Sequence, residues 1–194
     1  MALVSKGLEG IVANESRLSN AQGNEGLLTY CGHNIDETIE VFVSYSHSDK
    51  VWLERLQPLL KFDNCRGYAN EWDDQKLQAG DKWKRRIREA LDRMNLFVCL
   101  ISTEFLLSRY VQQIELPKAF EREEAGEIEI VPIVVYRHVP IQEECPKLLD
   151  YNPLPRWDMC WRDFEGDQGD YGDAHGLIRA GLKQAIERLS SKKS

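Results

Sequence analysis

Residues 96–101, LFVCLI, form an apolar run with no polar break. A strand with one face in water alternates apolar and polar residues. A run of this kind needs burial on both faces, as in a parallel sheet covered by helices. Two further runs resemble it: IEVFVS at 39–44 and EIEIVPIVVY at 127–136. A second strand is expected in GYANEWDD at 67–74. Helical patterns lie between these runs. KVWLERLQPLL (50–60) places Leu53, Leu56 and Leu60 inward, with Asp49 as its cap and Pro58 tightening or ending it. KWKRRIREALDRM (82–94) places Trp83, Ile87, Ala90, Leu91 and Met94 inward. Residues 137–172 read as irregular, with a short edge strand near 153–157, before a closing helix in AHGLIRAGLKQAIERL. Strand and helix alternate from residue 39 onward, which predicts an α/β fold with a parallel sheet and helices on both faces. Ligands in such sheets bind past the carboxyl ends of the strands, so the residues to read are Tyr45 and Ser46, Asp73 and Asp74, and Ser102 and Thr103.

Composition removes several function classes. Acidic residues outnumber basic ones by 32 to 25, for a net charge of −7. Nucleic acid is therefore not an expected partner, because phosphate binding needs a basic face. The basic run KWKRRIRE at 82–89 reads as the solvated side of a helix. No stretch reaches the roughly 18–20 apolar residues that span a bilayer, and no secretory h-region is evident. The five cysteines are scattered without a C-x-x-C pair, which suits reduced thiols in the cytoplasm. The four histidines show no metal-ligand spacing, so no metal site is expected.

The segment SRYVQQIELPKAF (108–120) holds the sharpest question. Leu107, Val111, Glu115 and Ala119 are spaced by four and would share one helical face. A carboxylate in that stripe is either the wet rim of a surface helix or a charge held at a cleft, and periodicity leaves both open. Pro117 predicts a bend or a shortened ladder near Glu115.

The runs EVFVSYSHSDKVWLERL, EWDDQKLQAGDKWKRRIREAL, LFVCLISTEFLLSRYVQQIELPKAFEREEAGE and IVPIVV resemble, in order and spacing, a bacterial Toll/interleukin-1 receptor (TIR) domain over residues 38–190. The resemblance implies a flavodoxin-like fold with a central five-stranded parallel sheet. Catalytic members of that family cleave NAD+ at the nicotinamide-ribose bond with a glutamate on the helix after the third strand, a role that falls on Glu115. Ser108 and Tyr110 fit the residues that precede this glutamate in bacterial members. Val111 replaces the cysteine or tryptophan often found there, which bears on substrate stacking and product choice. The resemblance further implies NAD+ contacts at Tyr45 and Ser46, at Asp73, Lys76, Leu77 and Gly80 of the loop after the second strand, and at Ser108 and Val111. Asp73 is equally a turn residue by type, and Trp83 either stacks on a base or packs in the core. Ser46 stands where some catalytic relatives carry arginine, with Lys76 as the substitute cation.

The chemistry asks for few groups. Nicotinamide leaves NAD+ as a neutral molecule, so no general acid is needed. A carboxylate beside the ribose stabilises the oxocarbenium-like transition state, and apolar neighbours strengthen that attraction. NAD+ is then the substrate and no cofactor is needed. The implied function is a cytoplasmic NAD+ glycohydrolase of bacterial anti-phage immunity, with a site shared between self-associating TIR domains. The alternative is a non-catalytic TIR adaptor. A response-regulator-like domain would want an aspartate where Ser102 stands.

Residues 1–37 are not TIR-like and are similar to the N-terminal hairpin of citrate synthases: IVANESRLS and LLTYC flank a Gly/Asn-rich turn. Tyr30 is followed by Cys31, Gly32 and His33 in place of the usual arginine-glycine-tyrosine. Such a hairpin, marginal alone, is expected to dock on the TIR domain, on its copy in another chain or on a partner such as a separate sensor protein; the alternative is a passive N-terminal extension. Residues 191–194 are expected to fray.

Overall fold

The computed structural model describes residues 39–61, 65–69, 82–164 and 171–193. The hairpin expected in residues 1–37, and Asp73, Lys76, Leu77 and Gly80, lie outside the described residues.

Four parallel strands form one sheet: β1 (Ile39–Ser44), β2 (Cys65–Ala69), β3 (Leu96–Ile101) and β4 (Glu129–Val134), in the order β2-β1-β3-β4. The second strand thus starts at Cys65 rather than Gly67. The helices are α1 (Lys50–Leu56), α2 (Lys82–Arg93), α3 (Thr103–Leu107), α4 (Leu116–Glu124), α5 (Ile141–Glu144) and α6 (Tyr171–Lys193). The tail expected to fray is helical as far as Lys193.

Alternation along the strands sorts the core into two layers. Val41, Val43, Leu96, Val98, Leu100, Val131 and Ile133 face one way and meet Trp52, Leu53 and Leu56 of α1 and Ile178, Leu182 and Ile186 of α6. Phe42, Phe97, Cys99, Ile101 and Ile130 face the other way and meet Ile87 and Leu91 of α2, Phe105 and Leu106 of α3, and Leu116 and Ala119 of α4. All six residues of β3 are buried, as its unbroken apolar run requires. Phe42 and Phe97 stack across β1 and β3 with centroids 5.8 Å apart. In the opposite layer the Trp52 Nε1–H donates to the Tyr136 hydroxyl (2.9 Å).

The predicted five-stranded sheet has four strands among the described residues. The fifth position, expected at 153–157, is a single parallel bridge between Ile133 and Leu154. Leu154 N–H donates to the Pro132 carbonyl, and Val134 N–H donates to the Leu154 carbonyl, both at 2.8 Å. Pairing ends there because the chain turns back, with Arg156 bridging Met159 in antiparallel fashion. Pro153 and Pro155 flank the bridge and offer no N–H to a further strand.

Local chemistry also revises the caps. Asp49 precedes α1 without capping it: its side chain makes no cap hydrogen bond there. Ser102 does cap α3, accepting from Phe105 N–H at 3.0 Å. Pro58 ends α1 as expected, sitting in a 3-10 turn at Gln57–Leu60. The C-terminal end of α2 is closed from outside. The Arg122 guanidinium, on α4, donates to the carbonyls of Leu91 (2.7 Å) and Met94 (2.8 Å).

Candidate active site

The helix expected to carry Glu115 is not continuous. α3 stops at Leu107, and Ser108 takes an extended conformation (φ −69°, ψ 116°). Its hydroxyl then accepts from Val111 N–H at 3.5 Å, starting a new helical segment. Residues Val111–Glu115 form a π-turn before α4. Leu116 N–H bonds back five residues to the Val111 carbonyl. Pro117, at the start of α4, has no N–H to continue an α-helical ladder, so a wider turn is the local solution. π-turns inside helices are frequent at functional sites.

This break splits the stripe predicted from the spacing of four. Val111, Glu115 and Ala119 face the layer formed by α2, α3 and α4, while Leu107 is 58% exposed. Leu107 therefore supplies no apolar wall to Glu115. Nor is Glu115 at a wet rim: it is 1% exposed.

Four polar or charged residues are buried among the described residues: Ser44, Asp49, Ser102 and Glu115. They form two pairs. The Ser44 hydroxyl, at the end of β1, donates to Oε2 of Glu115. The Ser102 hydroxyl, just past β3, donates to Oδ2 of Asp49 at 2.5 Å. β1 and β3 are neighbours although β2 lies between them in sequence, so the strand order reverses between them. That switch point is where doubly wound sheets hold ligands. Ser44, Asp49 and Ser102 thus lie at the carboxyl ends of β1 and β3, and Glu115 reaches the same end through Ser44.

Charge in this region is felt by its neighbours. Burial, and then the Glu115 carboxylate, push the Tyr110 phenol up to about 12, with Arg88 acting in the opposite sense. Burial pushes the Cys99 thiol well up, with Cys145 and Glu115 among the further causes, so Cys99 is a neutral packing residue. Burial raises Asp49 to about 6, opposed by the Ser102 hydrogen bond and reinforced by Glu104.

The other residues named from the sequence are dispersed. Val111 is buried in the layer with α2, α3 and α4. Ser108 is half-buried and serves as the helix break. Ser46 is half-buried, and its carbonyl accepts from Asp49 N–H at 2.8 Å. Tyr45 is 2% exposed and packs in the opposite layer, with Trp52 and Trp161, so the structure does not bring it to Glu115. Ser44, the residue before it, is the one that meets Glu115. Strand periodicity was the available signal: Ser44 shares the Phe42 face, whereas Tyr45 shares the Val43 face. Asp49, read from sequence as a cap, is instead the acceptor of the Ser102 hydroxyl.

A separate cleft of ≈390 Å³ lies past β4, lined by Tyr136, Arg137, His138, Trp157 and Met159 among others, and Glu115 does not line it. His138 there has a left-handed backbone (φ 58°). Arg137 is engaged by Asp163 at 2.6 Å. Among the described residues, no group of three or more His, Cys, Asp or Glu is placed to hold a metal, and no helix is long and apolar enough to cross a membrane.

Comparison with known proteins adds three findings. The chain is 29% identical over 121 residues to a protein of Sinorhizobium fredii (strain NBRC 101917 / NGR234) described as uncharacterized protein y4lF, a match that covers 60% of this chain and 38% of the relative. Among solved structures it is similar, at 20% identity and a TM-score of 0.41, to the TIR domains of the activated Roq1 resistosome directly recognizing the pathogen effector XopQ, over 79% of this chain and 84% of that one. The sequence profile of the TIR domain matches residues 41–174, from within β1 into α6. With that match spanning more than half of its residues, the chain belongs to the TIR domain family.

Proposed function

We propose that this TIR domain is an NAD+ glycohydrolase in which Glu115 stabilises the positive charge that develops on the ribose as nicotinamide departs. The observation that carries the reading is the placement of Glu115. It follows the third strand, sits on a π-turn, and is held within an apolar layer beside the β1–β3 switch point. A carboxylate in such surroundings attracts a cationic transition state far more strongly than one in water. NAD+ is the substrate in this reading, and Val111 is a proposed contact that, in place of the family's cysteine or tryptophan, bears on stacking and product choice. Tyr45, Ser46, Ser108 and the loop residues Asp73, Lys76, Leu77 and Gly80 remain the proposed further contacts.

At 1% exposure the carboxylate does not meet a substrate as it stands. Turnover therefore requires the covering segments to part, and we assign that step to association with other TIR domains. Residues 1–37 are the proposed docking segment, toward a second copy or a separate sensor protein, in a cytoplasmic role against phage. The test is nicotinamide release from NAD+ by the full chain, dilute and artificially clustered, beside Glu115→Gln. Release that rises on clustering and vanishes in the folded Glu115→Gln chain supports the proposal.

The burial of Glu115 also supports a second reading, a non-catalytic TIR adaptor in which the Ser44–Glu115 pair is structural. A chain that associates yet releases no nicotinamide at any concentration selects this one. Deleting residues 1–37 changes assembly or partner binding under either reading, which light scattering at matched concentrations measures.

A further inference from the structure

The cleft past β4 opens at the carboxyl end of the sheet, yet Glu115 does not line it. At ≈390 Å³ it falls within the range that small ligands occupy, about 300–1,000 Å³. Its walls are held by contacts of their own. The Tyr136 hydroxyl accepts from Trp52 Nε1–H at 2.9 Å, and the Arg162 guanidinium lies 5.3 Å from the Tyr136 ring centroid. Trp157 sits in a tight turn closed by the Arg156–Met159 bridge, where Met159 N–H donates to the Arg156 carbonyl at 3.2 Å. The Arg156 guanidinium also donates to Sδ of Met159 at 2.9 Å. Leu149, one of four large hydrophobic residues exposed among the described residues, extends this apolar wall. A rigid wall of aromatic and apolar side chains, open to solvent on one side, suits a flat ring.

The polar edge of the cleft is unevenly satisfied. Asp158 has both carboxylate oxygens on Arg156, at 3.2 and 3.3 Å. Asp163 also has both engaged, one by Arg137 Nε at 2.6 Å and the other by Cys160 N–H at 2.9 Å. Arg137 is thereby anchored through Nε alone. Its terminal nitrogens, Nη1 and Nη2, have no partner among the described residues, and its side chain is 55% exposed. A guanidinium edge of this kind offers two donors that match a carboxylate or phosphate. Beside it His138 holds a left-handed backbone (φ 58°), which a residue other than glycine adopts at a cost and which recurs at ligand sites. We propose that this cleft is a ligand site apart from Glu115, for a planar aromatic ring that carries an anionic group. The ring lies against Trp157, Tyr136 and Met159, and the anion meets the free edge of Arg137 at the His138 turn. The proposal goes beyond the NAD+ reading and does not depend on it.

Two probes carry both a ring and an anion, adenosine 5′-monophosphate and benzoate, and adenosine and benzamide are their neutral counterparts. Nitrogen-15 NMR titrations of the full chain follow the backbone amides of Leu149 and Met159, with near-ultraviolet dichroism confirming the fold of each variant. At least one anionic probe should shift these amides with a Kd below about 1 mM and bind about ten-fold or more tightly than its neutral counterpart. The tighter of the two tells a nucleotide from a simple aromatic acid. Arg137→Gln should weaken that probe about ten-fold and leave its neutral counterpart unchanged, because only the charge-assisted contact is lost. Trp157→Leu should weaken the charged and neutral probes alike. If that chain does not fold, Trp157→Phe, which keeps a smaller ring, should weaken both to a lesser degree. Unmoved Leu149 and Met159 amides with both anionic probes overturn the inference. So does equal binding of charged and neutral probes, or an unchanged Kd in either the Arg137 or the Trp157 variant. A Glu115→Gln chain that still releases nicotinamide overturns the catalytic reading instead and leaves this site standing.

Discussion

Asp49 makes a quantitative test of the crevice. It is 1% exposed, accepts from the Ser102 hydroxyl at 2.5 Å, and ionises at about 6 rather than 3.8 because burial outweighs that hydrogen bond. Between these values the folded chain holds a proton that the unfolded chain has released. The contribution of Asp49 to stability is thus fully present below about pH 3.8 and is lost as pH rises through about 6. Two pH units at about 1.4 kcal/mol each make the loss about 3 kcal/mol at most. Asn at this site has no charge to desolvate, so the perturbation is Asp49→Asn, and the observable is the difference in unfolding free energy between the two chains at each pH. Its absolute offset depends on how the amide packs against Ser102. Its slope does not, because only the carboxyl group titrates and Glu104 is present in both chains. From about pH 4 to about pH 7 the asparagine chain should gain up to about 3 kcal/mol on the native chain, or roughly 6–12 °C in Tm for a domain of this size. Urea titrations at low protein concentration provide the assay. Parallel stability curves across that interval would refute the argument, since a buried Asp49 with a raised pKa cannot leave the difference flat.

Other expectations follow from single contacts. Glu115→Ala should lose about 1–3 kcal/mol, because it strands the buried Ser44 hydroxyl, whereas Glu115→Gln retains volume and an acceptor and should unfold close to native in urea. This differs from the tolerance to alanine that a rim position would have shown. Arg122→Ala leaves the Leu91 and Met94 carbonyls without their donor, and a loss of about 2–3 kcal/mol should appear in thermal unfolding, with Arg122→Lys recovering only part. A Cβ at Gly181 of α6 would meet Leu154 Cδ2 at 2.4 Å, so Gly181→Val should destabilise by about 1–3 kcal/mol and Leu154→Ala should relieve most of it, as a double-mutant cycle would measure.

The layered α/β architecture was legible because it is written in short-range pattern. LFVCLI has no polar residue to put in water, and the runs at 39–44 and 129–134 differ only slightly from it. A chain with these runs separated by amphipathic segments has little choice beyond a parallel sheet with helices on both faces. Period two along β1 even separates Ser44 from Tyr45, although the polar loop after the strand drew attention to the tyrosine. Glu115 was legible as a candidate through its family-like surroundings, and Pro117 correctly signalled a disturbed ladder beside it.

What pattern alone left open was how that disturbance resolves. Spacing by four assumes an unbroken 3.6-residue period, and the break at Ser108 with the π-turn at Val111–Glu115 removes that assumption. Leu107 thereby leaves the stripe and Glu115 turns into the core. Its partner is 71 residues away in sequence, and so is invisible to any local rule. The Asp49–Ser102 pair, 53 residues apart, is of the same kind: only the side-by-side placement of β1 and β3 brings the two together. Sequence by itself therefore determined which faces must be buried, because the free energy of hiding apolar surface acts residue by residue. Tertiary structure decided which polar groups share that burial, because a buried hydroxyl or carboxylate is stable only beside a partner that folding alone supplies.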